Sequence, residues 1–317
     1  MHRHLKIVVA TAVSFVGIST IACADAMPPD IAEKIAALGR VIAVPQTNAI
    51  YAPLHSMEPY PGVNVARDVR YGSADLNVLD VFTTENAAGG QRPILVLVHG
   101  GGFSVGTKKT AGSPFLDNIP LWAAHNGIVG VNVDYRLAPK SAWPSGPEDM
   151  AAIVRWLKAN IASYGGDPSR IYLMGWSAGA NHVASYVAFP QFHAADGSGL
   201  AGAILLSGSP FDPTVFDMTP YKSYFGDDAS RFASLSPTPG LLKSSVPLMV
   251  AYAGLDPPGI ERESINLIEA LCGAQRCPQK VFLKTHSHIS EGDAIGTSDT
   301  ELTDELLVFM KVSKPTN

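Results

Sequence analysis

Five short runs constrain this chain more than anything else in it. PILVLVH, GIVGVNVDY, RIYLMG, GAILLSG and PLMVAYAG are almost continuously apolar and rich in β-formers. A strand with one wet face alternates apolar and polar residues, whereas a strand without alternation has both faces covered. Helical patterns lie between them. In EDMAAIVRWLKANIASYG, Met150, Ile153, Val154, Leu157 and Ile161 fall on one helical face, and Glu148 and Asp149 suit a helix start. The order apolar strand, helix, apolar strand, helix predicts an α/β fold with a parallel sheet covered on both faces. Upstream, VNVARDVRY and NVLDVF alternate as two strands, expected as an antiparallel pair. MPPDIAEKIAALGRV reads as a short helix, followed by an extended Pro-containing segment to Gly62.

The first 26 residues read as a segment that is removed. MHRHLK is basic, IVVATAVSFVGISTIA is apolar, and ACADA offers small residues for cleavage after Ala24 or Ala26, as in a secretory signal peptide. The apolar run is short of the about 20 residues a membrane span needs, so no stable membrane insertion is expected after cleavage. A lipid on Cys23 is a lesser alternative, because Thr20 stands where such signals carry an aliphatic residue. The expectation is an exported protein, periplasmic or secreted. Residues 27–317 are long enough for one large core and read as a single domain. Within it, 208–246 is an excursion over the strand ends, rich in Pro and poor in periodicity. Charged residues make up 16% of the chain, the net charge is -5 and there is no basic cluster, so a nucleic-acid partner is not expected. Cys272 and Cys277, in LCGAQRC, are expected to pair in an oxidising compartment. On the loop-entropy model such a bridge stabilises by about 2 kcal/mol. Zinc on these two Cys would lack further ligands.

Open α/β sheets bind ligands at the carboxyl ends of their strands. Four such ends carry reactive residues. Ser177, in GWSAGA, follows the strand RIYLMG and precedes a helix, so a sharp bend would hold its hydroxyl above the sheet. Gly175 and Gly179 let the chain pass close to its neighbours there. HGGGF, His99 to Phe103, ends PILVLV. Its Gly101 and Gly102 amides, with that of Ala178, are candidates for an oxyanion hole, and His99 reads as a brace for the loop. Asp256 follows PLMVAYAG and precedes a helix, where a carboxylate can orient a histidine. Asp227, Asp228 and Asp293 follow no such clear strand. THSHISEG supplies His288 as base, with His286 in reserve. No Cys or carboxylate cluster adjoins these two histidines, so no metal or other cofactor is assigned. His125, His182 and His193 read as structural. Phe103 and Trp176 are candidate walls of the substrate pocket, as are, less strongly, Tyr221, Tyr224 and Phe225.

Ser, then Asp, then His is the order of α/β-hydrolase triads. With RYGSADLNVLDVF, HGGGF, VNVDYRLAP, GGDPSRIYLMGWSAGA and HSHIS, the mature chain resembles the carboxylesterase and lipase branch of that superfamily. The similarity is to its hormone-sensitive-lipase-like kind, and also to bacterial feruloyl-esterase-like hydrolases. The resemblance implies an α/β-hydrolase fold with a mostly parallel sheet of about eight strands. It implies triad roles for Ser177, Asp256 and His288 and oxyanion roles for Gly101, Gly102 and Ala178. The activity implied is serine carboxylic-ester hydrolysis through an acyl-enzyme, on a small-molecule ester with a short-chain or aryl group. Its rivals are an arylformamidase or amidase on the same triad and a non-catalytic binding protein. The extensive N-terminal cap helices of many lipase relatives are hard to find in this sequence, which leaves the acyl pocket undetermined.

Overall fold

A computed structural model describes residues 26–85 and 91–313. The expected signal peptide, Cys23 included, lies outside the described residues but for its last, Ala26. Among the described residues eight strands form one sheet: β1 (Val63–Arg70), β2 (Val78–Thr84), β3 (Arg92–Val98), β4 (Val129–Val133), β5 (Gly166–Trp176), β6 (Gly202–Leu206), β7 (Leu248–Leu255) and β8 (Gln279–Ser287). Their order is β1-β2-β4-β3-β5-β6-β7-β8. β2 runs antiparallel to both its neighbours, and the other pairs are parallel. The mostly parallel sheet and the antiparallel first pair are therefore as expected.

Helices precede and connect the strands: α1 (Pro29–Leu38), α2 (Val44–Tyr51), α3 (Asn118–His125), α4 (Ser145–Asn160) and α5 (Ala178–Ala188). Then come α6 (Lys222–Phe225), α7 (Phe232–Leu235), α8 (Thr238–Leu241), α9 (Pro258–Gly273), α10 (Ser290–Asp293) and α11 (Glu301–Met310). Successive strand residues point to opposite faces, and the core divides accordingly. Ile94, Val96 and Val98 of β3 pack with Met150, Ile153, Val154 and Leu157 of α4. Leu95 and Leu97 of the same strand pack on the other face with Ile119 of α3 and Leu306 of α11. Among the described residues no helix is long and apolar enough to cross a membrane.

Three features differ from the sequence reading or sharpen it. The stretch expected to be extended up to Gly62 contains α2, which starts with Pro45 in its first turn, where a missing N–H costs nothing. Its buried residues are only Thr47 and Tyr51, so it presents no amphipathic stripe. It is held instead by contact with α10. Residues 208–246 form α6 to α8 and short turns. They lay Met218, Tyr224, Phe225 and Leu235 against Phe103 and Ala178. At the end of α9, the sulfurs of Cys272 and Cys277 lie within bonding distance, with Cα atoms 4.0 Å apart.

Candidate active site

The sheet register gathers the four predicted strand ends. Val98 of β3 pairs with Gly175 of β5, so the glycine run emerges beside Ser177. Gly100 passes so near that a Cβ there would sit 3.0 Å from the Ser177 Cβ. Leu255 of β7 pairs with Ser287 of β8, so Asp256 and His288 leave their strands as neighbours. The His288 Nδ1 donates to Asp256 Oδ1 at 2.8 Å, both side chains being buried. Ser177 and His288 line one cavity of about 490 Å³, together with Gly100, Gly101, Gly102 and Trp176.

Ser177 has φ 56° and ψ -121°, a backbone region that L-residues avoid, and α5 begins at the next residue. The helix N-terminus therefore opens directly behind the hydroxyl, where its amides favour negative charge. Gly101 (φ 122°) and Gly102 (φ 56°) continue the left-handed run in the facing loop. A Cβ on Gly101 would lie 2.0 Å from the Val105 carbonyl oxygen, so this position admits only glycine. His99 stacks on Tyr135 with ring centroids 4.4 Å apart, and its Nδ1 lies 2.6 Å from the Gly100 carbonyl oxygen. It thus sits under the loop.

Phe103 is a correction. It does not wall the cavity but is wholly buried, stacked on Tyr224 at 4.8 Å with edge contacts to Tyr221, Phe225 and His182. Apolar area is better covered in this aromatic cluster than at a wet cavity, so the ring ties the glycine loop to residues 208–246. Trp176 does reach the cavity. The remaining apolar wall comes from residues the sequence did not single out: Ile42 just before α2, Val44 at its start, Val105, Phe115, Leu116 and Ile289. The α2 helix, which falls in the stretch expected to be extended, thus supplies part of the pocket through Val44 and Asn48. His182 is packed among rings, and burial pushes its imidazole down to about 3. It is a core residue.

Two further residues unnoticed in the sequence, Ser207 and Glu291, back Asp256. The Ser207 Oγ lies 2.6 Å from Asp256 Oδ2 and 2.8 Å from Glu291 Oε2. A hydroxyl has one hydrogen, so it can donate to only one of these carboxyls. Asp256 already takes the Ala253 amide on Oδ2 and His288 on Oδ1, the pattern of an acceptor-only carboxylate. The proton count closes if Glu291 carries its own proton and donates to Ser207, which donates to Asp256. Burial, with the charge of Asp256 added, pushes the Glu291 carboxyl well above its ordinary range. The Trp176 indole N–H is shared between Glu291 Oε1 and the His288 carbonyl, each at 3.0 Å.

This neutral acid has a pH signature. Below its ordinary value of 4.5, Glu291 is protonated in folded and unfolded chains alike. As pH rises past that point the unfolded chain loses the proton and the folded chain keeps it, so stability falls until the raised value is passed. Glu291→Gln, which cannot ionise, should therefore have a higher Tm than wild type at pH 7. The gap should close as pH drops below about 5. Calorimetry between pH 4 and pH 8 reads this directly, and a pH-independent gap would show that Glu291 is charged in the fold.

The model of the carboxylesterase family matches residues 45–233. Esterase LipQ of Mycobacterium tuberculosis is 29% identical over 210 residues, covering 60% of this chain and 46% of that protein. Carboxylesterase NlhH of the same organism is 45% identical over 93 residues, 28% of this chain and 27% of that protein. The chain spans less than half the length of these curated relatives. Among solved structures, a bacterial heroin esterase superposes with a TM-score of 0.65 at 25% identity, over 90% of this chain and 97% of that one. A carbohydrate esterase from gut microbiota gives 0.66 at 18% identity, over 78% of this chain and 96% of that one. The family match takes in more than half the chain, from α2 through the glycine loop and the Ser177 bend to α7, and on that ground the protein belongs to the carboxylesterase family, on an α/β-hydrolase fold.

Proposed function

We propose that this chain hydrolyses carboxylic esters through an acyl-enzyme on Ser177. Ser177 Oγ attacks the ester carbonyl carbon while His288 Nε2 takes its proton. Asp256 holds the imidazole with its other proton on Nδ1 and offsets the cation that forms. The carbonyl oxygen, now an oxyanion, accepts hydrogen bonds from the Gly101, Gly102 and Ala178 amides. The tetrahedral adduct collapses, and the alcohol leaves with the proton from His288. Water, deprotonated by the same imidazole, then releases the acid. One observation carries this reading: His288, bonded to the buried Asp256 at 2.8 Å, lines the same cavity as Ser177.

The substrate class follows from the walls. Ile42, Val44, Val105, Phe115, Leu116 and Ile289 offer an apolar surface, and the volume of about 490 Å³ suits a short acyl or aryl group. The matching assay is a series of p-nitrophenyl esters of increasing acyl length, run beside an arylformamide. Rates should peak at short acyl groups and exceed that on the amide. A peak at long chains would contradict the size argument, and faster amide turnover would make the protein an amidase.

Export is part of the same proposal. The basic, apolar and small-residue succession before Met27 supports it. So does the close approach of Cys272 and Cys277, which suits an oxidising compartment.

A further inference from the structure

We infer that His286, Asp299 and Glu301 form a binding site for one small divalent cation of the zinc class. The sequence showed no carboxylate cluster beside the two histidines, but the fold brings two carboxylates to His286. The end of β8 and the start of α11 meet so that His286 Nε2 lies 3.0 Å from Asp299 Oδ2 and 3.7 Å from Glu301 Oε2. One ligand atom from each residue lies within 4.8 Å of the other two. The His286 and Asp299 side chains are each 2% exposed, and that of Glu301 is 31% exposed.

These three atoms are buried and none has a hydrogen-bond partner. His286 and Asp299 are near enough to bond, yet the pair does not satisfy hydrogen-bond geometry, and one ligand atom of each of the three residues is gathered in the same small span. Buried polar atoms are otherwise almost always paired, and orphans that converge want a shared partner. A cation bound at zinc distances in tetrahedral geometry sets its N and O ligands about 3.3–3.5 Å apart, between the two distances found here.

The surroundings hold the ligands as a metal requires. His286 Nδ1 lies 3.3 Å from the Ser290 hydroxyl, which can accept the ring N–H and so leave the Nε2 lone pair free. The second oxygen of Asp299 accepts the Glu301 amide at 3.1 Å, leaving Oδ2 to bind. Two carboxylates and a neutral imidazole balance a charge of +2. One nitrogen and two oxygens in so small a span favour zinc or a similar transition metal over calcium, which takes six to eight oxygens. The fourth position falls to water on the partly exposed Glu301 side. His286 does not line the Ser177 cavity, so the ion's work is structural. It ties β8 to α11 across the segment that carries His288.

The test uses the untagged full chain saturated with zinc chloride, dialysed, and assayed for metal by mass spectrometry. About one equivalent of zinc should remain, Tm should rise on zinc addition and fall back with EDTA, and cobalt should compete for the site. Glu301→Gln, at the exposed corner, keeps side-chain volume and should fold while binding zinc at least tenfold more weakly. His286→Gln is the second variant and should lose the zinc-dependent rise in Tm. Absence of bound zinc in wild type, or equal zinc in Glu301→Gln, overturns the site. The second result would also place the metal elsewhere in the chain.

Discussion

Ser177→Ala should lower kcat on a short p-nitrophenyl ester by about 10⁵–10⁶-fold, because removal of the nucleophile collapses the triad as a unit. A fluorophosphonate probe that labels wild type should fail to label the variant. Its stability should barely change, since alanine retains the Cβ and hence the backbone conflict at φ 56°. Ser177→Gly should be equally inactive but more stable. A non-glycine residue in so sparsely populated a region costs about 1–3 kcal/mol. Glycine escapes that cost and gives back about 0.5–1 kcal/mol through its freer unfolded chain. The net gain, about 1 kcal/mol, should raise Tm by roughly 2 °C over the alanine variant. The two variants separate the chemistry of the residue from the strain of its bend. An alanine variant with more than a few per cent of wild-type kcat would remove Ser177 from the mechanism. A glycine variant less stable than alanine would mean that the bend is not strained.

What the chain disclosed in advance follows the reach of local rules. Continuous apolar runs identified β3 to β7, because burial on both faces leaves a mark in every residue of such a strand. Ser177, Asp256 and His288 could be found because each lies just past a strand. Unbroken parallel register from the Ala253–Leu283 pair would set Asp256 beside His286, and it is the irregularity before Leu255, which pairs with Ser287, that makes neighbours of 256 and 288. The α2 helix left no such mark. Val44–Tyr51 buries two residues, and its position depends on α10, which lies far along the chain. Phe103 was misplaced because an aromatic residue after the glycines fits a pocket wall and a core equally well. Only the return of residues 208–246, with Tyr224 facing it, decides for the core. Glu291 looks like an ordinary acid at a helix start; what makes it a proton donor is its complete burial beside Asp256. His286 likewise gained its carboxylates from a segment that folds back.

Asp256→Asn should cost about 10⁴-fold in kcat, and the packing around it says why the loss should be that deep. Asp256 Oδ2 receives the Ala253 amide at 3.0 Å and the Ser207 hydroxyl at 2.6 Å. An asparagine has one oxygen and one NH₂ group, and two donors on one side demand the oxygen there. Its NH₂ must then face His288 Nδ1, which has to accept, so the ring proton moves to Nε2. That nitrogen can no longer take the proton of Ser177. The prediction is a tautomer fault in an otherwise intact site: nitrogen chemical shifts of His288 should report protonation at Nε2, and probe labelling of Ser177 should slow in parallel with kcat. Ser207→Ala in the same background should recover little, because the Ala253 amide alone still holds the oxygen. Since Glu291 is read as neutral, it cannot stand in for the missing carboxylate. Loss of less than tenfold in Asp256→Asn would mean that another group orients His288 and would break the triad as drawn.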